Sequence, residues 1–355
     1  MSSLLLAFAL RHATGTAQQA TQPPKAKLAG ELFKNVQVLK DLPEDQFWAT
    51  MSFFADSLGV NCERCHAEPF EADKKPEKIK ARQMIRMVQD MNTRYFDGVQ
   101  KVTCNSCHRG DTSPVAEPSL DAQHWMDRTR PAGPLPDGAA LIARYQKLTG
   151  VAAAAGPHAE HVSYEMTIYL SEEPPRKENT ELVLSDHKRF HMTTRSDRGT
   201  SQWIRDGAAG WTSKDGDSLK AVDGNKMFDA SGEASSFDWE TLKDITDPKS
   251  VKTDIVRGRP AVIVEAKDHG DRVWLYFDQQ TGLLLRRRSF FPSYFADGCN
   301  DVEFDDYRHV GNLMLPFLVQ ILNPSGNGLT IRRARERALL PHPDAKLFAP
   351  PEAGH

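Results

Sequence analysis

The 355-residue chain lacks a long apolar run, a block of charge of one sign, and an abundance of cysteine. Leu4 to Leu10 (LLLAFAL) is apolar, but a bilayer-spanning helix needs about 20 such residues, so this stretch cannot cross a membrane as a helix. Small and polar residues follow it through Ala17, and the segment 1–17 has the form of a secretory-signal remnant without the usual leading Lys or Arg. The 48 acidic residues nearly cancel the 45 basic ones, giving a formal charge of -3. That balance argues against a phosphate-backbone binder or a polybasic membrane anchor, and no nucleic acid is expected as a partner. G-x-S-x-G, P-loop and H-E-x-x-H patterns are all missing, so no hydrolytic or nucleotide signature is present. Of the five cysteines, four form two pairs with the same spacing and the same following residue.

Three stretches differ in pattern. From 18 to 110 the sequence reads as helical. DLPEDQFWATMSFFADSLG opens on acidic residues and closes on Gly59, with Phe47, Met51, Phe54 and Leu58 forming an apolar stripe. A second helix is expected from Pro76 to about Asn92, burying Ile79, Met84, Met87, Val88 and Met91. Residues 111–136 are rich in proline and show no sustained period, as a surface linker does. From 137 to 350 a short helix (ALIARYQKLTG) precedes alternating segments such as HVSYEMTIYL, KRFHMTTR, AVIVEAK, RVWLYFD and LPFLVQIL. DG, GRP, TG and PSGNG turns separate them, an antiparallel β signature. The expected fold class is therefore α+β multidomain, a helical N-terminal domain followed by an antiparallel sheet with one short helix.

The chemistry lies in Cys62-Glu63-Arg64-Cys65-His66 and Cys104-Asn105-Ser106-Cys107-His108, two copies of C-x-x-C-H. Two thiols at this spacing reach the two vinyl groups of one porphyrin, and the adjacent histidine then sits under the iron as its proximal ligand. A Cys₄ zinc site or a redox disulfide uses C-x-x-C pairs but needs no histidine directly after each. Two covalently bound haem c groups are expected, attached at Cys62, Cys65, Cys104 and Cys107, with His66 and His108 on the two irons. Covalent haem attachment takes place outside the cytoplasm, which makes the chain periplasmic or extracellular. Methionine is the candidate for the opposite face of each iron, since a thioether raises the reduction potential relative to a second histidine. Met51 stands alone on the first helix. On the second, Met84, Met87 and Met91 compete, and spacing does not choose among them.

The stretch from about Glu31 to Arg109 resembles the cytochrome subunit of photosynthetic reaction centres, and especially its two-haem relatives. The residues carrying the likeness are the methionine helix leading into SLGVNCERCH, the segment ARQMIRMVQDMN and the ending VTCNSCHRG. The resemblance implies modules of helix, turn and C-x-x-C-H with an axial methionine on each helix. By position it implies Met84 for the second haem, with Met87 the alternative. The four-haem members of the family differ, and a histidine that they place before the second motif has no counterpart around Phe96 and Asp97. A role in photosynthesis does not follow.

The C-terminal half resembles lipoprotein-carrier folds, in which a bent antiparallel sheet forms a half-barrel over helices. LIARYQKLTG, the hairpin IRDGAAGW, GRPAVIVEA, RVWLYFDQQTGLLLRRR and DDYRHVGNLMLPFLVQI carry this likeness. It implies a concave apolar face that either holds a hydrophobic ligand, a quinone or an acyl chain, or forms the domain's own core.

Together these features describe an exported electron carrier rather than an enzyme, with a redox protein donor and acceptor and a β domain for docking, assembly or ligand binding. Homo-oligomerisation is compatible with that role. Acidic and basic side chains balance between Gln18 and Leu120, so haem propionates would favour a basic patch on a partner. Two other classes stay open: a peroxidase-like haem enzyme with one open iron, and a structural subunit of a haem-conducting assembly. Weaker features are His158 with His161, His187 with His191, the clusters Arg286 to Arg288 and Arg332 to Arg337, and Cys299. They read respectively as surface histidines, solvated strand faces or a docking patch, and a free thiol.

Overall fold

The computed structural model describes residues 27–116, 133–153, 159–170, 173–185, 189–222, 242–323, 328–341 and 343–349. The signal remnant, most of the proline-rich linker, His158 and His187 lie outside them. The helical region holds α1 (Ala29–Leu32), α2 (Glu44–Leu58), α3 (Pro76–Tyr95) and α4 (Cys104–His108). Helix α2 begins with Glu44 and Asp45 in its first turn, which suits the helix dipole, and ends where Gly59 takes φ +64°. Helix α3 starts on Pro76, whose missing N–H costs nothing in a first turn. Its buried face is Arg82, Ile85, Val88 and Asn92. The sequence expectation is corrected here: Ile79 and Met87 are exposed, and Met84 and Met91 are half-buried beside that face. The periodicity was sound, but polar Arg82 and Asn92 occupy positions that a hydrophobicity count leaves out.

Helix α5 (Gly138–Thr149) follows, capped by the Asp137 carboxylate on Ala139 N–H at 3.0 Å and closed by Gly150 at φ +77°. Among the described residues thirteen strands then form one antiparallel sheet: β1 (Ala159–Tyr169), β2 (Arg176–Ser185), β3 (Arg189–Ser196), β4 (Gly199–Asp206), β5 (Ala209–Lys214), β6 (Lys220–Ala221), β7 (Ile245–Val256), β8 (Arg259–Asp268), β9 (Asp271–Asp278), β10 (Leu284–Phe291), β11 (Gly298–Val310), β12 (Leu313–Asn323) and β13 (Gly328–Leu340). Their order is β6-β5-β4-β3-β2-β1-β13-β12-β11-β10-β9-β8-β7. Two meanders run outward from a central pair of the first and last strands, with Ala159 opposite Leu340 and Tyr169 opposite Leu329. Flat, thirteen strands at ~4.8 Å would span about 58 Å, whereas a 12-residue helix is only about 18 Å long. Yet one core joins Leu141, Ile142 and Tyr145 of α5 to Val162 and Tyr164 of β1, Leu182 of β2, Phe190 of β3, Val264 of β8, Leu275 of β9 and Val319 of β12. The sheet must therefore bend over the helix, as the half-barrel expectation requires.

Strands β8 and β9 are buried on both faces. Val262 and Val264 join the main core, while Ala261 and Ile263 join Tyr276 and Leu285 in a second cluster on the opposite face. Continuous AVIV rather than alternation is the sequence form of two-sided burial. The arginine clusters are corrected in part. Arg286 pairs with Glu303, Arg288 with Asp301 and Arg287 with Asp268. Arg332 and Arg337 are buried, and Arg337 meets Glu160 at 2.5 Å in the sheet interior. An arginine paired with a carboxylate across strands has no free charge to offer a partner. Arg333 and Arg335 do face solvent.

Candidate functional site

Both C-x-x-C-H motifs are single helical turns. In the first, Cys62–Arg64 is a 3₁₀ turn, with Cys65 N–H and His66 N–H both donating to Cys62 O at 3.2 and 3.0 Å. In the second, α4 is capped by a reciprocal pair, Thr103 N–H donating to Ser106 Oγ at 3.0 Å. Each turn places its two cysteines on one side with the histidine after them. The decisive feature is what each histidine does with its inner nitrogen. His66 Nδ1 lies 3.1 Å from Phe70 O, and His108 Nδ1 lies 3.0 Å from Asp111 O. A carbonyl only accepts, so each ring donates its Nδ1 proton there, the orientation in which the outer nitrogen Nε2 of a metal-ligating histidine is turned to the metal. The Phe70 ring also stacks on His66 at 5.1 Å between centroids and 17° between planes.

Three of the four thiols differ from those of a reactive C-x-x-C pair. No two cysteines are bonded to each other. Burial raises Cys62 and Cys65, and it pushes Cys104 up to about 11, whereas a reactive C-x-x-C thiol is lowered. Among the described residues no three His, Cys, Asp or Glu side chains converge as a zinc site requires. The donor set therefore fits haem: two thiols, one oriented imidazole, and apolar surface for a flat macrocycle. Trp48, Phe70, Ile79, Met87, Tyr95, Phe96 and Val99 all stand exposed in this small helical region.

Of the thioethers, Met51 is half-buried on α2 and packs against the core of Leu39, Leu42, Phe53, Ile85 and Val88. Met84 is half-buried on α3, Met91 borders the same core, and Met87 is 44% exposed.

Three polar residues that sequence reasoning passed over build the frame. Asn92, 1% exposed, donates through Nδ2 to Gln100 Oε1 and Val102 O, both at 2.8 Å. Its Oδ1 accepts from Lys101 and Val102 N–H at 3.0 and 2.9 Å, so it holds the segment that enters Cys104. Arg82 binds Asp73 at 2.9 Å and Asn35 O at 3.2 Å, tying the loop after His66 to α3. Thr50 is fully buried beside Met51. The available signal was a polar residue in phase with Ile85 and Val88, or next to the methionine. The two motifs are also linked directly, since Gly110 N–H donates to Ser57 O at 2.9 Å. Gly59 also lies against Gly110, and it stands three positions before Cys62 while Gly110 stands two after His108, so at about 3.6 Å per residue the motifs lie within roughly 25 Å of each other.

Of the weaker features, His161 Nε2 lies 2.9 Å from Glu181, and His191 is half-buried, its pKa lowered by burial. Cys299 is half-buried at the start of β11.

Two solved structures resemble the sheet at low similarity: a LolA superfamily protein from Nitrosomonas europaea (8% identical, TM-score 0.39, 61% of this chain and 98% of that one) and a lipoprotein-sorting protein domain from Vibrio parahaemolyticus (12%, TM-score 0.38, 58% and 94%). The photosynthetic reaction center cytochrome c subunit of Rubrivivax gelatinosus is 34% identical over 90 residues, 24% of this chain and 25% of that protein. Cytochrome c-554 of Chloroflexus aurantiacus is 37% identical over 81 residues, 21% and 20% of the two chains. The chain thus spans about a quarter or less of the length of these curated relatives. Residues 6–144, which include both C-x-x-C-H turns, match the family of photosynthetic reaction centre cytochrome c subunits.

Proposed function

We propose that the chain is an exported dihaem c-type cytochrome that transfers electrons by an outer-sphere mechanism. The observation that carries this reading is the repeated turn with its Nδ1-to-carbonyl clamp, found at both His66 and His108. Cys62 and Cys65 would hold one haem and Cys104 and Cys107 the other, with His66 and Met51 on the first iron and His108 and Met84 on the second. When bound, each haem supplies one Fe(III)/Fe(II) couple.

The protein's part is positional. Phe70 O and Asp111 O hold the imidazoles so that neither ring reorients as charge changes. Asn92 and Arg82 keep the loops around the motifs from moving, which keeps reorganisation small. Met51 and Met84, on stiff helices, bring soft ligands that favour the reduced state. With a histidine and a methionine to hold each iron, the chain would act as a carrier rather than an enzyme, working between a donor and an acceptor protein.

In this reading the cytochrome domain covers 18–110, the linker 111–136 and the β domain 137–350. No helix among the described residues is long and apolar enough to cross a membrane. The described concave face of the sheet is filled by its own core and α5, which favours docking or assembly over a bound quinone or acyl chain as the β domain's role.

A haem count by pyridine haemochrome, with optical spectra of both oxidation states, tests the proposal. Two c-type haems per chain with low-spin spectra and a far-red methionine-to-iron charge-transfer band are expected. One haem, or a high-spin ferric spectrum, would overturn it.

A further inference from the structure

The loop joining β10 to β11 behaves unlike a surface connection. Phe295 lies in its middle and is 1% exposed, although connecting loops normally run over the surface. The core that buries it is not the sheet's own. Its buried companions are Leu39, Leu42, Phe53, Ile85 and Val88, all from the helical region, with Met51, Met91 and Cys104 at the margin. Phe295 meets the Phe54 ring at 5.7 Å and the Tyr294 ring edge-on at 4.9 Å and 89°.

Polar contacts fix the loop on both helices. Tyr294 N–H donates to Thr50 Oγ1 at 3.1 Å, and that hydroxyl donates onward to Gln46 O at 2.7 Å. Gln89 of α3 reaches the Tyr294 hydroxyl at 3.5 Å. The loop stays folded through Ser293 Oγ, which donates to Ala296 O. A buried aromatic and a buried backbone hydrogen bond thus converge within one turn of Met51 on either side, at Thr50 and Phe54.

We propose that Tyr294 and Phe295 are positioning residues of the redox centre: the C-terminal β domain completes the cytochrome domain and holds the Met51 helix in the register that keeps its thioether on the first iron. This rests on the assignment of Met51 given above. An α-helix turns 100° per residue, so a small rotation of α2 carries Met51 Sδ away from any fixed point beneath it. Phe295 and the Thr50–Tyr294 bond are contacts from outside the helical region that resist such a rotation, alongside the packing of β11 on α2. They also keep water from the Phe53–Val88 side of the helix. Met51 borders the core that holds Phe295 and Met84 does not, although Ile85 and Val88 of α3 belong to that core and Cys104 lies at its margin, so the larger effect should fall on the first iron.

The test uses the full-length holoprotein. Phe295→Ala, Phe295→Leu and Thr50→Val are compared with wild type for haem content, far-red band intensity, carbon monoxide binding by the reduced protein, and the two reduction potentials. Phe295→Ala is expected to retain two haems, lose about half the far-red band, and bind carbon monoxide at one haem in two, with one potential falling further than the other. Phe295→Leu, which refills the core, should restore the band. A structural role alone would lower thermal stability in Phe295→Ala and leave the band, the gas binding and both potentials at wild-type values, and that result would overturn the proposal. If Phe295→Ala does not accumulate, Thr50→Val carries the same test with a smaller loss in the same half of the band, and an unchanged spectrum is again refuting. Met51→Leu separates the two claims. A full band in Met51→Leu removes the ligand assignment, whereas a halved band there with an intact one in Phe295→Ala removes only the role of the loop.

Discussion

Gly59 and Gly110 touch backbone to backbone: a Cβ built on Gly59 would stand 2.2 Å from Gly110 O. One residue closes the helix that carries Met51, and the other follows the second C-x-x-C-H turn, so this contact joins the two motifs. Gly59 also sits at φ +64°. Gly59→Ala should therefore cost at least about 1–2 kcal/mol for the left-handed conformation alone, and more for the displaced Gly110 carbonyl. Gly110→Ala is the control, since a Cβ there meets nothing within 4 Å and only the φ of +89° opposes it. Chemical denaturation should rank Gly59→Ala clearly below Gly110→Ala, and equal stabilities would disprove the importance of the contact.

How far the sequence reveals this arrangement depends on the residue. The cysteines and histidines are legible because covalent haem attachment fixes their spacing. The β meander is legible because turns such as that after Asp278 are short and chemically specific. The arginines of β13 read from sequence as a solvated strand face or a docking patch, because nothing in RRARER says that Arg337 will find Glu160 across 177 positions. Phe295 was invisible for the same reason: its burial comes from a helix pair more than 200 residues away, and local pattern carries no information about such a contact. Asn92 and Thr50 look like ordinary polar helix residues until their partners are known.

Asn92→Ala offers a second test of the frame. The substitution leaves the N–H groups of Lys101 and Val102 and the carbonyl of Val102 without the side chain that satisfies them. Losing buried partners of this kind costs ~1–3 kcal/mol each at most, so a total of roughly 2–4 kcal/mol is expected after water relieves part of it. Because the held segment enters Cys104, loading of the second haem should fall more than that of the first. Mass spectrometry of intact chains, counting one-haem and two-haem species, would reveal it. A variant that keeps full stability and full loading would mean that the segment is held by other contacts.

The methionines can be ranked by substitution. Leucine keeps the size and apolar character of methionine but cannot ligate iron. Met51→Leu and Met84→Leu should each remove about half of the far-red band and lower one reduction potential. Met87→Leu should change neither, since Met87 points substantially into solvent. Redox titration monitored optically distinguishes the three. A lowered potential in Met87→Leu, with Met84→Leu unaffected, would transfer the second ligand to Met87.

The acid sensitivity of the sheet should centre on Asp278. Burial alone would raise this carboxyl, but Thr281 and Gln280 N–H groups at 2.9 and 2.7 Å and the Arg259 guanidinium outweigh it, and the pKa is held below the ordinary aspartate value. A carboxyl whose pKa is depressed in the folded chain binds its proton more readily when unfolded. Its stabilisation is therefore complete above the unfolded value of 3.8 and is lost as the pH falls from there through the lower folded value. Asp278→Asn keeps an acceptor for the turn and removes the titration. Melting temperatures followed by far-ultraviolet dichroism should fall less steeply with acidification in the variant than in the wild type over that window, from a lower starting point at neutral pH, where the Arg259 pairing is missing. Parallel curves for the two proteins would place the acid-labile step elsewhere, at Asp268 beside Arg287 or Glu265 beside Trp274 and Arg272, whose carboxyls are also held low.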